Sequence, residues 1–300
     1  VLADICAAAR EAGRPARVHV KIDTGMSRAG STLADLPALA SALRMAADDG
    51  LVDVVGAWSH MSRADDPSEA GNASTASHVR IFEEGLAILA DAGVTPRIRH
   101  LSATSGILWH REAHYDMVRA GIGLYGLSPD PAVATSEQLG LTPALELSAP
   151  LTSVKVIEEG TPASYGGTWV APTRRWIGLV PLGYGDGILR AASNQARVVV
   201  HTASGPFNAP LIGRVCMDQF MVDLGPAEGS PGTPTARSGP APAIPGDIAT
   251  LFGSGIGGEA LADDWAQAAD TINYEIVTHL GAHIPRIYRD GADATFGSNS

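Results

Sequence analysis

Val18-His19-Val20-Lys21-Ile22-Asp23-Thr24-Gly25-Met26-Ser27-Arg28 is the stretch on which the reading of the fold turns. Val18 to Ile22 is a β-type apolar run and predicts a strand. Asp23 to Met26 is a polar loop that ends it. On the N-terminal side, Asp4 to Glu11 reads as a helix. On the C-terminal side, Pro37 to Ala47 is helical, with its proline tolerated in the first turn. Val52 to Trp58 predicts a second strand and Ala76 to Ala90 a further helix. Arg97 to Leu101 and Met117 to Val118 predict two short strands. Strand, polar loop and helix in alternation imply parallel βα units.

About four such units fit into residues 1 to 140. A closed eight-unit TIM-type barrel needs roughly 200 to 250 residues. Val1 also opens in mid-pattern. The expectation is therefore the C-terminal half of a (β/α)8 barrel over 1–140, recorded as a C-terminal fragment of a longer chain. With open parallel edges, such a piece is expected to fold poorly by itself.

From about Leu141 the texture changes. Leu151 to Ile157, Trp176 to Pro181, Ala196 to His201, Phe220 to Leu224 and Ile248 to Phe252 are short β runs separated by Gly and Pro. They predict a compact, mainly-β C-terminal domain over 141–290. Gly225 to Pro245 reads as a surface loop, Ala260 to His279 as a helix, and Pro285 to Tyr288 as the segment that closes the fold. Gly291 to Ser300 reads as a disordered tail.

Composition narrows the function classes. A net charge of -11 over 300 residues disfavours nucleic acid and anionic membranes as partners. No apolar run is long enough for a transmembrane helix. Cys6 and Cys216 are the only cysteines, which excludes a disulfide framework and fits a cytoplasmic protein. No Cys/His metal set is present. Lys21 and Lys155 are the only lysines.

Loops after the strands of a βα barrel build its active site. Four polar clusters lie there: Lys21 to Arg28, Ser59 to Asp66, Arg99 to Thr104 and Val118 to Gly126. They supply cations, hydroxyls and bare backbone N–H groups, which suit a phosphate and a carboxylate. The β half adds Ser164 to Gly167, Gly183 to Gly187, Gly213 to Gln219 and Asn273 to Glu275, where glycines let backbone approach a ligand.

In order and spacing, these motifs resemble those of the alanine racemase family from about Val18 to Tyr288. The resemblance implies a pyridoxal 5'-phosphate barrel joined to a β domain. The implied enzyme interconverts L- and D-alanine by two-base proton transfer, supplying D-alanine for peptidoglycan. It implies a homodimer whose active sites are shared across the interface. Tyr165 matches the family's catalytic tyrosine, which enters from the partner subunit and works on the L-alanine face. A phenol needs cationic or hydrogen-bonding neighbours to act as a base near neutral pH. His60, Arg119 and His100 match the groups that provide them. Arg119 matches the arginine facing the pyridine nitrogen. Arg28 and the backbone of Met217 match the substrate-carboxylate set, and Lys21 a lysine that is carbamylated in some members. Thr104, Gly121, Ile122 and Tyr274 match the phosphate-binding set. Asp65, Tyr184, Arg190, Arg214 and Ile272 match the lining of the substrate entrance.

Two departures stand out. Ala103-Thr104 replaces a common Asn-Ser, and His283 replaces an arginine at a position expected to be remote from the chemistry. One absence is larger. Members attach the cofactor as a Schiff base through a lysine in a segment like Val-Lys-Ala-Asx-Ala-Tyr-Gly-His-Gly, and no such segment occurs here. That lysine is also the second base, so this chain alone is expected to be inactive. Two other readings compete: a broad-specificity or serine racemase, and a non-catalytic relative that binds pyridoxal phosphate.

Overall fold

The protein is described by a computed structural model over residues 1–229 and 239–289. It divides into two compact units, Val1–Thr142 and the chain from Pro143 onward. Among the described residues, no helix is long and apolar enough to cross a membrane.

The first unit runs α1 (Leu2–Ala12), β1 (Ala16–Lys21), α2 (Leu36–Asp48), β2 (Val52–Trp58), α3 (Glu69–Asp91), β3 (Ile98–His100) and α4 (Thr104–Trp109). The three strands lie side by side in the order β1-β2-β3, and both pairings are parallel. Helices therefore cross between consecutive strands, as the alternating pattern demands. Val20, Ile22, Leu36, Ala57, Phe82, Leu89 and Leu101 pack into one core between sheet and helices. The helix α3 starts seven residues before the expected Ala76. Ser68 caps it by accepting from the Gly71 N–H, so a weakly apolar first turn can still be helical.

Met117 to Val118 is not a strand. The Arg99 N–H, which would begin a ladder there, donates to the Asp116 carboxylate at 2.8 Å instead. The Asp116 and Met117 N–H groups converge on the one Arg99 carbonyl. A carboxylate has taken the place of a backbone partner, and the segment runs beside β3 as irregular chain.

The second unit runs β4 (Leu147–Pro150), β5 (Ser153–Ile157), β6 (Pro162–Ala163), β7 (Trp169–Val170), β8 (Arg175–Val180), β9 (Arg197–Thr202), β10 (Gly205–Ile212), β11 (Phe220–Pro226), β12 (Ile248–Phe252), α5 (Ala262–Ala268) and α6 (Asn273–Thr278). Seven strands form one antiparallel sheet in the order β4-β12-β9-β10-β11-β8-β5, and β6-β7 form a small ribbon. Leu151 and Thr152 alone separate β4 from β5, yet these are the two edge strands. The three Cα–Cα steps from Pro150 to Ser153 span about 11 Å at most, so the sheet has to curl until its edges come close. Val198, Val200, Leu211, Phe220, Val222 and Leu251 are buried as its core. 

Three expectations need correction here. Leu151 to Ile157 is not one strand, because Leu151 is a buried corner between two strands with different partners. Ala260 to His279 is two helices. Asp270, at φ 54, turns the chain left-handed between them, and the Thr271 N–H returns to the Ala266 carbonyl. Pro285 to Tyr288 closes nothing: it has no regular structure, and Ile287 and Tyr288 are exposed. Of the expected loop Gly225 to Pro245, Gly225 and Pro226 belong to β11, Ala243 is buried, and 230–238 lie outside the described residues. The expected tail, Gly291 to Ser300, lies outside them too.

Candidate active site

Parallel strands place their C-terminal loops at one end of a sheet, and in the first unit Arg119 gathers the groups found there. Its Nη1 donates to His100 Nδ1 at 3.0 Å and to the His100 carbonyl at 3.2 Å. Its Nη2 donates to the carbonyls of Ser59 at 2.8 Å and Leu101 at 3.0 Å, and to His60 Nδ1 at 3.2 Å. A guanidinium only donates, so both ring nitrogens facing it are unprotonated acceptors. Burial lowers Arg119 from its ordinary value, but an arginine stays charged.

This fixes the state of both histidines. Burial, then the Arg119 charge and then His19, push His100 down to about 4. Burial, then Arg119, Arg28 and Lys21, lower His60. Each is neutral, with its proton on Nε2. His100 Nε2 lies 2.8 Å from His19 Nδ1 and donates to it. Beneath them Trp58 forms a floor. Its ring stacks on His100 at 5.8 Å, with Lys21 Nζ at 4.7 Å and Arg119 Cζ at 5.1 Å from its centroid.

His19 reaches His100 across the neighbouring strand. The β1-β2 ladder shifts register between Val18 and His19, so His19 faces Gly56. A Cβ at Gly56 would overlap the His19 ring and lie 2.7 Å from the Ile98 carbonyl oxygen. Here only glycine leaves room for the ring.

Thr104 Oγ1 accepts from the Gly121 N–H at 3.0 Å and the Gly123 N–H at 3.4 Å. With two donors already on the oxygen, the hydroxyl proton is free to point at a third acceptor. Ile122 begins the adjoining 3-10 turn, Ile122–Tyr125. This hydroxyl and the neighbouring Ile122 N–H are donors that fit a phosphate, and hence pyridoxal phosphate. Asp65 is exposed one residue before the Arg63–Asp66 ion pair closes its loop. Arg28 is exposed, in a loop shaped by the Asp23 carboxylate, which accepts from the Gly25 and Ser27 N–H groups at 3.0 Å each.

In the second unit most of the candidate residues are exposed. Tyr165 is 71% exposed. It is flanked by Ser164 at φ 61, Gly166 at φ 74 and Gly167 at φ 54. Ser164 is a non-glycine residue held left-handed, a cost of about 1 kcal/mol or more. Its hydroxyl offsets part of that cost by donating to the Arg214 carbonyl at 2.6 Å. The Arg214 guanidinium passes over Gly166, with Nη1 3.1 Å from where a Cβ would stand. Tyr184 and Met217 are brought side by side. The Tyr184 N–H donates to the Cys216 carbonyl at 3.0 Å and the Gly185 N–H to the Met217 carbonyl at 2.8 Å. A Cβ at Gly183 would overlap both carbonyls. Ile272 and Tyr274 flank the start of α6, both exposed. Arg190 is exposed on a separate 3-10 turn, Arg190–Ala192.

His283 is nearer this chemistry than expected. Its Nε2 lies 2.8 Å from Asp186 Oδ1, in the turn that carries Tyr184. Two other residues escaped the sequence reading. His19 had a readable signal, since it lies two residues before Lys21 and shares its strand face. His78, inside α3, had none.

A half-buried arginine-histidine cluster in the first unit and tyrosines on exposed loops of the β unit are the groups expected of a pyridoxal-phosphate amino-acid racemase. The family description "Alanine racemase, N-terminal domain" matches residues 1–129, and "Alanine racemase, C-terminal domain" matches 144–288. The alanine racemase of Beutenbergia cavernae is 45% identical over 293 residues, covering 98% of this chain and 72% of that protein. That of Salinispora arenicola is 43% identical over 288 residues, covering 96% and 71%. The crystal structure of alanine racemase from D-cycloserine producing Streptomyces lavendulae superposes with a TM-score of 0.86 at 40% identity, covering 97% and 70%. The chain belongs to the alanine racemase family, whose members are pyridoxal-phosphate-dependent isomerases of alanine. Both family domains are matched, the first from residue 1. These matches lend no support to the expected C-terminal fragment with half a barrel alone.

Proposed function

We propose that this chain carries the L-alanine face of an alanine racemase, with Tyr165 as the base that takes the α-proton. The observation that carries the reading is the Arg119 cluster: one charged guanidinium bonded to His60 and His100, both held neutral. Pyridoxal phosphate, when bound, supplies the electron sink that makes an α-proton acidic. Thr104, Gly121, Ile122 and Tyr274 would hold its phosphate, and Arg119 would face its pyridine nitrogen. As a permanent cation, Arg119 would disfavour protonation of that nitrogen. Arg28 and the Met217 N–H hold the substrate carboxylate. Asp65, Tyr184, Arg190, Arg214 and Ile272 line the entrance, where the two tyrosines, Tyr184 and Tyr274, favour a substrate as small as alanine. 

His60 presents its Nε2–H on the side away from Arg119. There it can donate to the phenolate oxygen of a tyrosine that has given up its proton. In this reading that tyrosine is Tyr165 of a second copy, and the working unit is a homodimer. Neither lysine of the chain is read as the cofactor anchor. Lys21 Nζ is engaged over the Trp58 ring, and Lys155 lies mid-strand in β5. The two thiols, Cys6 and Cys216, are unpaired, in keeping with the cytoplasm.

Exchange of the α-proton with solvent needs one base, whereas racemisation needs two. The test is therefore NMR of L-alanine in D2O with the protein and added pyridoxal phosphate. Deuterium should enter Cα faster than D-alanine forms, and Tyr165→Phe should slow its entry by about 10²-fold or more. Equal exchange in Tyr165→Phe refutes the assignment of the base. Equal exchange of arginine or lysine refutes the preference for alanine.

A further inference from the structure

His78 has no part in the roles above, yet it is one of the most tightly held side chains of the first unit. It is 3% exposed and lies in the middle of α3. Its Nδ1 is 2.7 Å from Thr24 Oγ1. Its Nε2 is 3.3 Å from the Ser62 backbone nitrogen and 3.0 Å from Ser62 Oγ. A backbone N–H can only donate, so Nε2 accepts and the ring proton is on Nδ1. Nδ1–H then donates to Thr24 Oγ1. The Thr24 hydroxyl passes its proton to Ser59 Oγ at 2.8 Å, and the Ser59 hydroxyl donates to the Ile22 carbonyl at 2.6 Å. Thr24 and Ser59 are each 2% exposed, so the steps from the ring through Thr24 and Ser59 to Ile22 do not have water as a ready substitute.

The direction of every bond is set by the first. The chain begins at the loop after β2, passes through α3, and ends at Ile22, the residue that follows β1. Its two loops carry Arg28 and His60. Ser59 also offers its own carbonyl to Arg119 Nη2. We propose that His78 is a positioning residue that pins the Arg28 loop to the His60 loop through this single directed chain of hydrogen bonds. The functional part of the inference rests on the racemase roles given above. The geometric part does not.

Three substitutions test it in the full chain. His78→Leu removes the ring nitrogens. Thr24→Val removes the hydroxyl that receives the ring proton while keeping the side-chain shape. His78→Gln keeps one acceptor for Ser62 and one donor for Thr24. In His78→Leu and Thr24→Val, amide hydrogen exchange across 23–28 and 59–63 should quicken by about tenfold or more, the factor expected when a buried donor is left unpaired. The strands of the second unit should keep their protection, and His78→Gln should restore slow exchange in both loops. Nitrogen-15 NMR of the wild-type imidazole should find the proton on Nδ1. In the active enzyme, KM for L-alanine should rise several-fold in His78→Leu with little change in kcat, and recover in His78→Gln. Unchanged loop exchange in either His78→Leu or Thr24→Val overturns the proposal, as does a proton on Nε2. If the exchange and NMR results hold while the wild type moves no α-proton, the pin stands and the racemase roles fail.

Discussion

The two units treat their functional groups in opposite ways. In the first, Arg119 and His100 pack against Trp58, and His60 and His19 are hydrogen-bonded to that pair, with each proton assigned by a neighbour that can act in only one sense. In the second, Tyr165, Tyr184 and Met217 stand exposed on turns held by glycines and by the left-handed Ser164, and Ile272 and Tyr274 stand exposed at the start of α6. A group that must keep a fixed charge is best built into a core, where burial and directed bonds remove the alternatives. A group that must give and take a proton has to remain reachable. Under the proposed roles, the groups of fixed charge lie in the first unit and the proton carrier in the second.

The largest effect that should break this contrast is at the reachable end. Tyr165→Phe should lower α-proton exchange by about 10²- to 10⁴-fold, the usual worth of a positioned acid-base group. The melting temperature should stay the same, because the hydroxyl is exposed. A matching drop in stability would mean that Tyr165 is a packing residue. At the fixed end the pattern should reverse. Gly56→Ala forces a methyl group into the His19 ring and the Ile98 carbonyl, an overpacking worth about 1–3 kcal/mol. Urea denaturation followed through Trp58 fluorescence should show it. An unchanged midpoint would mean that the strand shifts freely and that His19 is not locked.

Acid should separate the units next. The folded chain holds His100 near 4, while the unfolded histidine titrates near 6.5. Between these values the unfolded chain binds protons that the folded chain refuses, so stability falls as pH drops from 6.5 towards 4. His60 and His78 are lowered as well and act in the same sense. In the second unit burial raises Glu146 and Asp263, so acidification favours their folded state. The Trp58 signal should move to lower urea between pH 7 and 5, and less so in His100→Gln. A shift of equal size in the second unit's tryptophans would erase the contrast. The smallest effect is expected at Ser164→Gly, which relieves the left-handed backbone but loses the bond to the Arg214 carbonyl. The two changes oppose each other, and the net stability change should stay within about 1 kcal/mol.

Much of this contrast was legible in the sequence, because both kinds of site announce themselves by type and spacing. Val18 to Ile22 and Val52 to Trp58 read correctly as strands, since their apolar pattern reflects burial between helices. The glycines around Tyr165 and Tyr184 marked turns that only glycine tolerates. The missed features depend on partners distant in the chain. Nothing around Leu151 shows that the run before it and the run after it pair at opposite edges of a sheet. Nothing around Met117 shows that Asp116 has already taken the Arg99 N–H. His78 lies among helix-forming residues, and its meaning comes from Thr24 and Ser62, one of them more than fifty positions away. His283 looked remote because sequence distance from Tyr184 hides the bond to Asp186.

The curl of the seven-stranded sheet also sets a timetable for synthesis. The strand β5 pairs with β8, about twenty residues further on. Its neighbour in sequence, β4, pairs only with β12, about a hundred residues later. At roughly 5–20 residues per second, β4 leaves the ribosome and waits for several seconds with its backbone unpaired. By then the βα segment before it has fully emerged. The nascent chain thus carries one raw strand at the junction of its two units throughout that interval, and this is where a chaperone or a wrong partner would find it.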